Sequence, residues 1–347
     1  MVSPLCDDWA ADVPYYWPEK TADPFPPGSP HHQLGQQMAM ASICKWDPTF
    51  LAAVPLKSCN PAADGQTTTT ATDGVTRTQV IIHTPHGDLI GITENRQTAQ
   101  TIKAMLETED DYRRMTWVAR EQMDYDEDEA IRVGREQLAG IGQCGVLGTW
   151  WEPPLWVNHD EMHYHLADWP EAIGELRAAN KKLMLKRMKT LRKAGYDYLF
   201  YCVAGTEWIS PDFFRKHIME DTREIFRQWR TDGGFVLWHT CGRAANFIEA
   251  GFYNDLRPEI FETICEPPLG NVPTLRWARQ NLDRAIATKG NISLGTMLNG
   301  TEAEVRAEVA RVKEQTRGYR HIVGLSDDLL HNTPLQNSRA FVDEARR

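Results

Sequence analysis

The chain has 347 residues, with 38 Lys and Arg against 48 Asp and Glu, and a formal net charge of −10 at pH 7. A protein that neutralises phosphates needs a basic surface, so this balance argues against a nucleic-acid binder. Hydrophobic residues make up 41% and charged residues 25%, the proportions of a globular protein with a sizeable core, which excludes a disordered or fibrous chain.

No run of about 18 apolar residues is present, so no transmembrane helix is expected. The opening stretch, Met1-Val2-Ser3-Pro4-Leu5-Cys6-Asp7-Asp8-Trp9, has neither the basic nor the apolar region of a signal peptide. A cytoplasmic location is the expectation. The seven cysteines, at 6, 44, 59, 144, 202, 241 and 265, are odd in number and widely spread, which fits reduced thiols better than a disulfide framework.

The first 35 or so residues are rich in proline and polar groups, as in Pro24-Phe25-Pro26-Pro27-Gly28-Ser29-Pro30, and read as an extended arm. From Thr67 to Ile92 β-branched residues dominate, with turn signals at Asp73-Gly74 and His86-Gly87-Asp88, so a small antiparallel meander is expected. The acidic run Asp124-Tyr125-Asp126-Glu127-Asp128-Glu129 reads as a solvated helix start.

Beyond Ile102, helical stretches alternate with short apolar runs. Those runs, 145–148, 198–203, 235–238, 260–264 and 322–325, are predicted strands. Ser210-Pro211 opens a helix in which Phe213, Phe214, Ile218, Ile225, Phe226 and Trp229 recur at helical spacing. Thr301 and Glu304 form a capping box ahead of the stripe Val305, Val309 and Val312. Repeated βα units with continuous apolar strands predict a parallel sheet. No Gly-x-Gly-x-x-Gly follows a strand, which disfavours a dinucleotide-binding sheet and favours a (β/α)8 TIM barrel. Residues 1–100 read as the arm and meander packed on a barrel formed by 101–347, one structural unit overall. The active site of such a barrel lies at the C-terminal ends of its strands.

The strand ends carry the candidate chemistry. His239-Thr240-Cys241-Gly242 follows the run Phe235 to Trp238, and residues two apart in an extended segment point the same way. His239 and Cys241 can therefore reach one metal ion; a packed histidine beside a buried thiol is the competing reading. Cys265-Glu266, Asp327-Asp328 and Glu207 end or follow other predicted strands, and such a ring of His, Cys, Glu and Asp suits zinc. Cys265 and Glu266 should face opposite sides, so one of them at most belongs beside the ion. For Glu207 and Asp328 the competing role is a charge at a helix N-terminus.

Aromatic residues form a second cluster of candidates. Trp150 and Trp151 follow the first predicted strand, where a barrel places substrate contacts, and flat rings make walls for a ring-shaped ligand. Tyr201, Glu207 and Trp238 sit near strand ends and complete the expected pocket; packing of the barrel rim is the alternative for each ring. His159, His163 and His165 form a metal-like His-x-x-x-His-x-His, for which we prefer a substrate-pocket or surface role to a second metal site, with His159 the substrate-binding candidate.

Four stretches resemble the superfamily of barrels that contains uroporphyrinogen decarboxylase and cobalamin-independent methionine synthase. They are His83-Thr84-Pro85-His86-Gly87-Asp88-Leu89, Ile209-Ser210-Pro211-Asp212-Phe213-Phe214, the run from Gly234 through Gly242, and Gly290-Asn291-Ile292 with Gly300-Thr301 and Asn332-Thr333-Pro334-Leu335-Gln336-Asn337. In order and spacing they cover roughly residues 80 to 345. Nothing here matches the N-terminal Arg-Gln-Ala-Gly-Arg stretch with which uroporphyrinogen decarboxylases grip propionates, so porphyrinogen decarboxylation is disfavoured.

The resemblance implies the methyltransferase branch. That branch holds zinc through a His-x-Cys, here His239 and Cys241; in methionine synthase a Glu lies about two dozen residues on, here Glu266. A final Cys stands shortly before a Thr-Pro, and here Asp327 holds that position ahead of Thr333-Pro334. The resemblance thus implies a zinc enzyme with metal ligands His239, Cys241, Glu266 and Asp327, and with Glu207 and Cys265 in reserve. A carboxylate in place of a thiolate hardens the shell and favours an oxygen donor, or else marks a dismantled site. The expected reaction moves a methyl group from a small methoxylated compound, aromatic compounds included, to the corrinoid of a partner protein, with Tyr201 and Glu207 as further catalytic candidates. Methyl transfer to a thiol, metal-free decarboxylation of another acid and a non-catalytic binding protein are the alternatives. A homodimer is compatible with the sequence.

Overall fold

The computed structural model describes residues 41, 44–47, 50–51, 56–95, 99–138, 144–148, 159–202, 209–231, 233–330 and 332–347. The expected N-terminal arm, Glu207 and the tryptophans at 150 and 151 lie outside the described residues, as does the side chain of His159. In chain order the strands are β1 (Phe50–Leu51), β2 (Gln66–Thr72), β3 (Val75–Thr84), β4 (Gly87–Asn95), β5 (Ala99–Lys103), β6 (Cys144–Gly148), β7 (Tyr198–Cys202), β8 (Phe235–His239), β9 (Ile260–Glu262), β10 (Ala287–Ile292) and β11 (His321–Leu325). The chain divides into two compact units, one of Met1–Ala53, Val133–Gly148 and Gly195–Arg347, the other of Val54–Arg132 and Thr149–Ala194.

The first unit holds a seven-stranded sheet in the order β1-β6-β7-β8-β9-β10-β11, every ladder parallel. Neighbours in space are neighbours in sequence from β6 onward, and helices connect them, which is the order of a (β/α)8 barrel. Among the described residues no ladder joins β1 to β11. The apolar runs expected to be strands form β6, β7, β8, β9 and β11. β10 reads Ala-Thr-Lys-Gly-Asn-Ile, and its Lys289, Gly290 and Asn291 break the apolar pattern that announces the others.

Alternation along the strands separates two faces. Tyr198, Phe200 and Leu237 cluster on one face with Cys202, Phe235 and Ile260 packed against them. Tyr201 and Trp238, one residue away in each strand, pack among Phe214, Phe226 and Tyr253, residues of the surrounding helices. Helix Glu302–Gln315 carries the expected capping box of Thr301 and Glu304, and it buries Val305, Val309 and Val312 completely. Ser210 caps the helix Pro211–His217 through the Phe213 amide, as its sequence predicts. The expected continuous helix is broken at Ile218, whose φ −124 and ψ −39 leave helical geometry; a second helix, Met219–Thr231, then buries Ile225, Phe226 and Trp229.

The second unit contains the expected meander, a four-stranded antiparallel sheet in the order β2-β3-β4-β5. The stretch His83 to Leu89 forms the β3–β4 hairpin, with His83 opposite Asp88 and Thr84 opposite Gly87. Helix Glu109–Glu121, capped by a box of Thr108 and Asp111, and helix Pro170–Ala194 supply the rest of its core, including Tyr112, Met115, Ile173 and Leu176. The acidic run ends in the first turn of helix Glu127–Leu138, where Glu127, Asp128 and Glu129 favour the dipole. Among the described residues no helix is long and apolar enough to cross a membrane.

Candidate functional site

Strand register builds the site. Cys202, the last residue of β7, pairs with His239, the last residue of β8, and His239 pairs with Glu262, the last residue of β9. Register partners in a parallel sheet point to the same face, so three chemically capable side chains meet at the strand ends. The Thr240 amide donates to the Glu262 carbonyl at 2.8 Å, and Gly242 then turns the chain with φ 76, a conformation that favours glycine. Cys241 thereby stays beside His239.

The ligand atoms of Cys202, His239 and Cys241 all lie within 4.8 Å of one another. His239 is buried, and its ring stacks on Phe200 with centroids 5.0 Å apart. Its Nδ1–H donates to Glu262 Oε1 at 3.0 Å, while Nε2 lies 2.9 Å from Cys241 Sγ and 3.8 Å from Asp327 Oδ1. A carboxylate at Nδ1 fixes the tautomer and leaves Nε2 for a ligand, as in the outer partners of metal-bound histidines. Lys289 Nζ sits 2.7 Å from Glu262 Oε2, with both side chains buried.

The electrostatics follow from these contacts. Burial opposes charge on His239, but its contacts with Cys241 and Glu262 outweigh burial and lift the imidazole to about 10. Burial also works against the Glu262 carboxylate, which Lys289 and His239 nevertheless hold down at about 2. The contact with Cys202 and then burial push the Cys241 thiol up. A divalent cation among these groups would reverse that last effect, because a coordinating thiol is deprotonated outright. Two sulfurs and one imidazole nitrogen are donors that zinc takes readily.

The other candidates are placed as follows. Asp327 stands beside His239, and burial raises its carboxyl above the usual range. Glu266 Oε1 accepts from the Leu275 amide at 2.8 Å and from Asn291 Nδ2 at 3.0 Å and pairs with Arg311 at 3.2 Å, so that oxygen is taken up by those partners. Cys265 donates to the Ser326 carbonyl at 2.9 Å, and burial lifts its thiol to about 11. The Tyr201 hydroxyl meets Thr222 Oγ1 at 2.7 Å, and Trp238 is fully buried; both rings occupy the face of their strands opposite Cys202 and His239. His165 pairs with the Tyr112 hydroxyl at 3.0 Å and stacks near Trp169, a packing role in the second unit.

Cys202, Glu262 and Lys289 carry no mark in the sequence that singles them out. Cys202 nearly ends its predicted run and Glu262 sits in the middle of another, but which residues lie side by side depends on register, which composition does not reveal.

A profile of the uroporphyrinogen decarboxylase family matches residues 158–347, more than half of the chain. The chain belongs to the uroporphyrinogen decarboxylase family. The match takes in β7 through β11 and so every residue of the cluster. No curated protein matches the chain. Among solved structures, a methyltransferase from Methanosarcina mazei is similar at a TM-score of 0.61 and 13% identity, over 99% of this chain and 93% of that one. That likeness establishes the shared fold. Two others are similar with lower TM-scores, too low to carry an argument. A 3-keto-D-glucoside 4-epimerase from E. coli scores 0.38 at 12% identity over 68% of this chain and 93% of that one. A protein from Listeria monocytogenes described as a vitamin-B12-independent methionine synthase scores 0.36 at 16% identity over 62% and 68%.

Proposed function

We propose that this member of the uroporphyrinogen decarboxylase family is a zinc-dependent methyltransferase that moves a methyl group from a small methoxylated compound to a corrinoid protein. The observation that carries the reading is the convergence of Cys202, His239 and Cys241 at the ends of adjacent strands, with Asp327 beside them. Decarboxylation has no use for two thiols and an imidazole aimed at one point, whereas a metal does. The fold shared with the Methanosarcina methyltransferase supports the same direction.

His239, through Nε2, and the thiolates of Cys202 and Cys241 would hold the ion, and Asp327, 3.8 Å from Nε2, would join them. Zinc supplies Lewis acidity that draws charge from the methoxyl oxygen. Glu262 accepts from the Nδ1–H of His239, so Nε2 is the nitrogen that faces the cluster and would bind the ion. Phe200 stacks on the imidazole and excludes water from that side of it. The bond from oxygen to the methyl carbon breaks as the bond from that carbon to the acceptor forms, and the substrate oxygen takes a proton on release.

One observation favours methyl transfer to a thiol as the second reading. Cys202 adds a sulfur where Asp327 has removed one, so the donor set is softer than the sequence pattern alone implies. Elemental analysis of tag-free protein, followed by assay of methoxylated donors with a reduced corrinoid and with thiols, tests both. About one zinc per chain, lost in His239→Ala together with methyl transfer, is the expected result. Full turnover in His239→Ala would overturn the mechanism.

A further inference from the structure

We propose that Lys289 is a positioning residue for the metal centre, acting on His239 through Glu262 across the mouth of the sheet. The inference rests on the zinc reading above and extends it to a residue two contacts away from the ligands.

Lys289 lies in the middle of β10, where its side chain is 3% exposed. A buried ammonium is costly unless paired, and burying it in a strand interior needs a reason. Among the described residues its ion-pair partner is Glu262, at 2.7 Å, and no acceptor meets hydrogen-bond geometry at Nζ. Glu262 spends its other oxygen on His239 Nδ1. The three side chains therefore form one line, ammonium to carboxylate to imidazole, built on β10, β9 and β8.

The direction of influence follows from charge. A carboxylate accepts a proton donor and cannot itself donate, so an ionised Glu262 requires hydrogen on Nδ1 and leaves Nε2 as the ligand atom. The buried Lys289 ammonium, 2.7 Å from Oε2, holds the carboxylate in the orientation that sets Oε1 against Nδ1. Without it, Oε1 is no longer held against Nδ1, and the imidazole loses the contact that keeps Nε2 directed at Cys202 and Cys241. Lys289 is too enclosed to touch a substrate, so its effect reaches the chemistry only through this line.

The test is zinc affinity of the full-length protein, measured by competition with a chromophoric chelator, together with the nitrogen shifts of His239 in the zinc-loaded protein. Lys289→Met should weaken zinc by about 10–100-fold, the range for removal of an outer partner, and Lys289→Arg should recover part of the loss. Because a lone buried carboxylate can prevent folding, the double variant Lys289→Met/Glu262→Gln, which leaves neither charge, provides the second comparison. It should lose affinity to the same extent as Glu262→Gln alone, since Lys289 acts through Glu262. In the wild type, His239 should carry its hydrogen on Nδ1. A folded Lys289→Met with wild-type zinc affinity, or a His239 hydrogen on Nε2 in the zinc-loaded wild type, overturns this inference while leaving the zinc reading standing. Wild-type protein that holds no zinc overturns both.

Discussion

Cys202 and His239 are register partners at the ends of two adjacent parallel strands, and that pairing puts a thiol beside the imidazole that the His-x-Cys pattern marks as a ligand. Cys241, two residues beyond His239, completes the trio. The cluster is thus shared between the end of β7 and the end of β8 with the segment that follows it, and each side should be needed.

Cys202→Ala should therefore lower zinc affinity by more than the 10–100-fold typical of an outer partner, because it removes a donor atom. Chelator competition measures it, with circular dichroism to show that the fold persists. Unchanged zinc content in Cys202→Ala would show that the two residues at 239 and 241 hold the ion with other groups.

Asp327 offers a test of donor hardness. It lies 3.8 Å from His239 Nε2, and its side chain is 34% exposed, so a substitution there should leave the fold intact. Asp327→Cys should tighten zinc and raise activity toward thiol acceptors relative to methoxylated donors, because thiolate is the softer ligand. Asp327→Ala should weaken zinc. The ratio of the two activities, measured on all three proteins, checks the expectation.

Tyr201 separates packing from catalysis. Its hydroxyl donates to Thr222 Oγ1, whose own proton goes to the Ile218 carbonyl, all away from the cluster face. Tyr201→Phe should cost about 1 kcal/mol of stability, the net worth of one hydrogen bond, and leave zinc content and turnover unchanged. Urea unfolding and a turnover assay read the two effects separately; lost turnover at full stability would return Tyr201 to the active site.

His321 predicts an acid-sensitive fold. Its Nε2–H donates to the Gly290 carbonyl at 2.8 Å and its Nδ1 accepts from Thr288 Oγ1 at 2.9 Å, and burial lowers it to about 4 from the ordinary 6.5. A depressed histidine binds its proton more weakly when folded, so protonation favours the unfolded chain. Its contribution is complete above about pH 6.5 and is lost progressively as pH falls toward 4, reaching at most about 3 kcal/mol. In urea titrations at pH 7 and pH 4.5, His321→Gln should lose less stability between the two than the wild type; equal losses would refute the assignment.

Much of the architecture is legible in the sequence. β8 and its His-x-Cys, the capping box of Thr301 and Glu304, the Ser210-Pro211 helix start and the meander after Thr67 all rest on patterns within a few residues, and all are present in the fold. The helix break at Ile218 is not legible, because the apolar spacing runs across it unchanged. β10 is hidden because the polar residues that spoil its strand signature, Lys289 and Asn291, face and hold Glu262 and Glu266.

Local sequence determined that this chain would build βα units and that His239 and Cys241 would share a strand end, since both follow from spacing along one segment. Tertiary structure alone decided that Cys202 and Glu262 flank His239, that Glu266 turns to Arg311, and that Tyr201 and Trp238 face the helices. The reason is register: a shift of one residue between neighbouring strands exchanges the two faces, and that offset is set by the packing of the whole sheet rather than by any stretch of sequence within it.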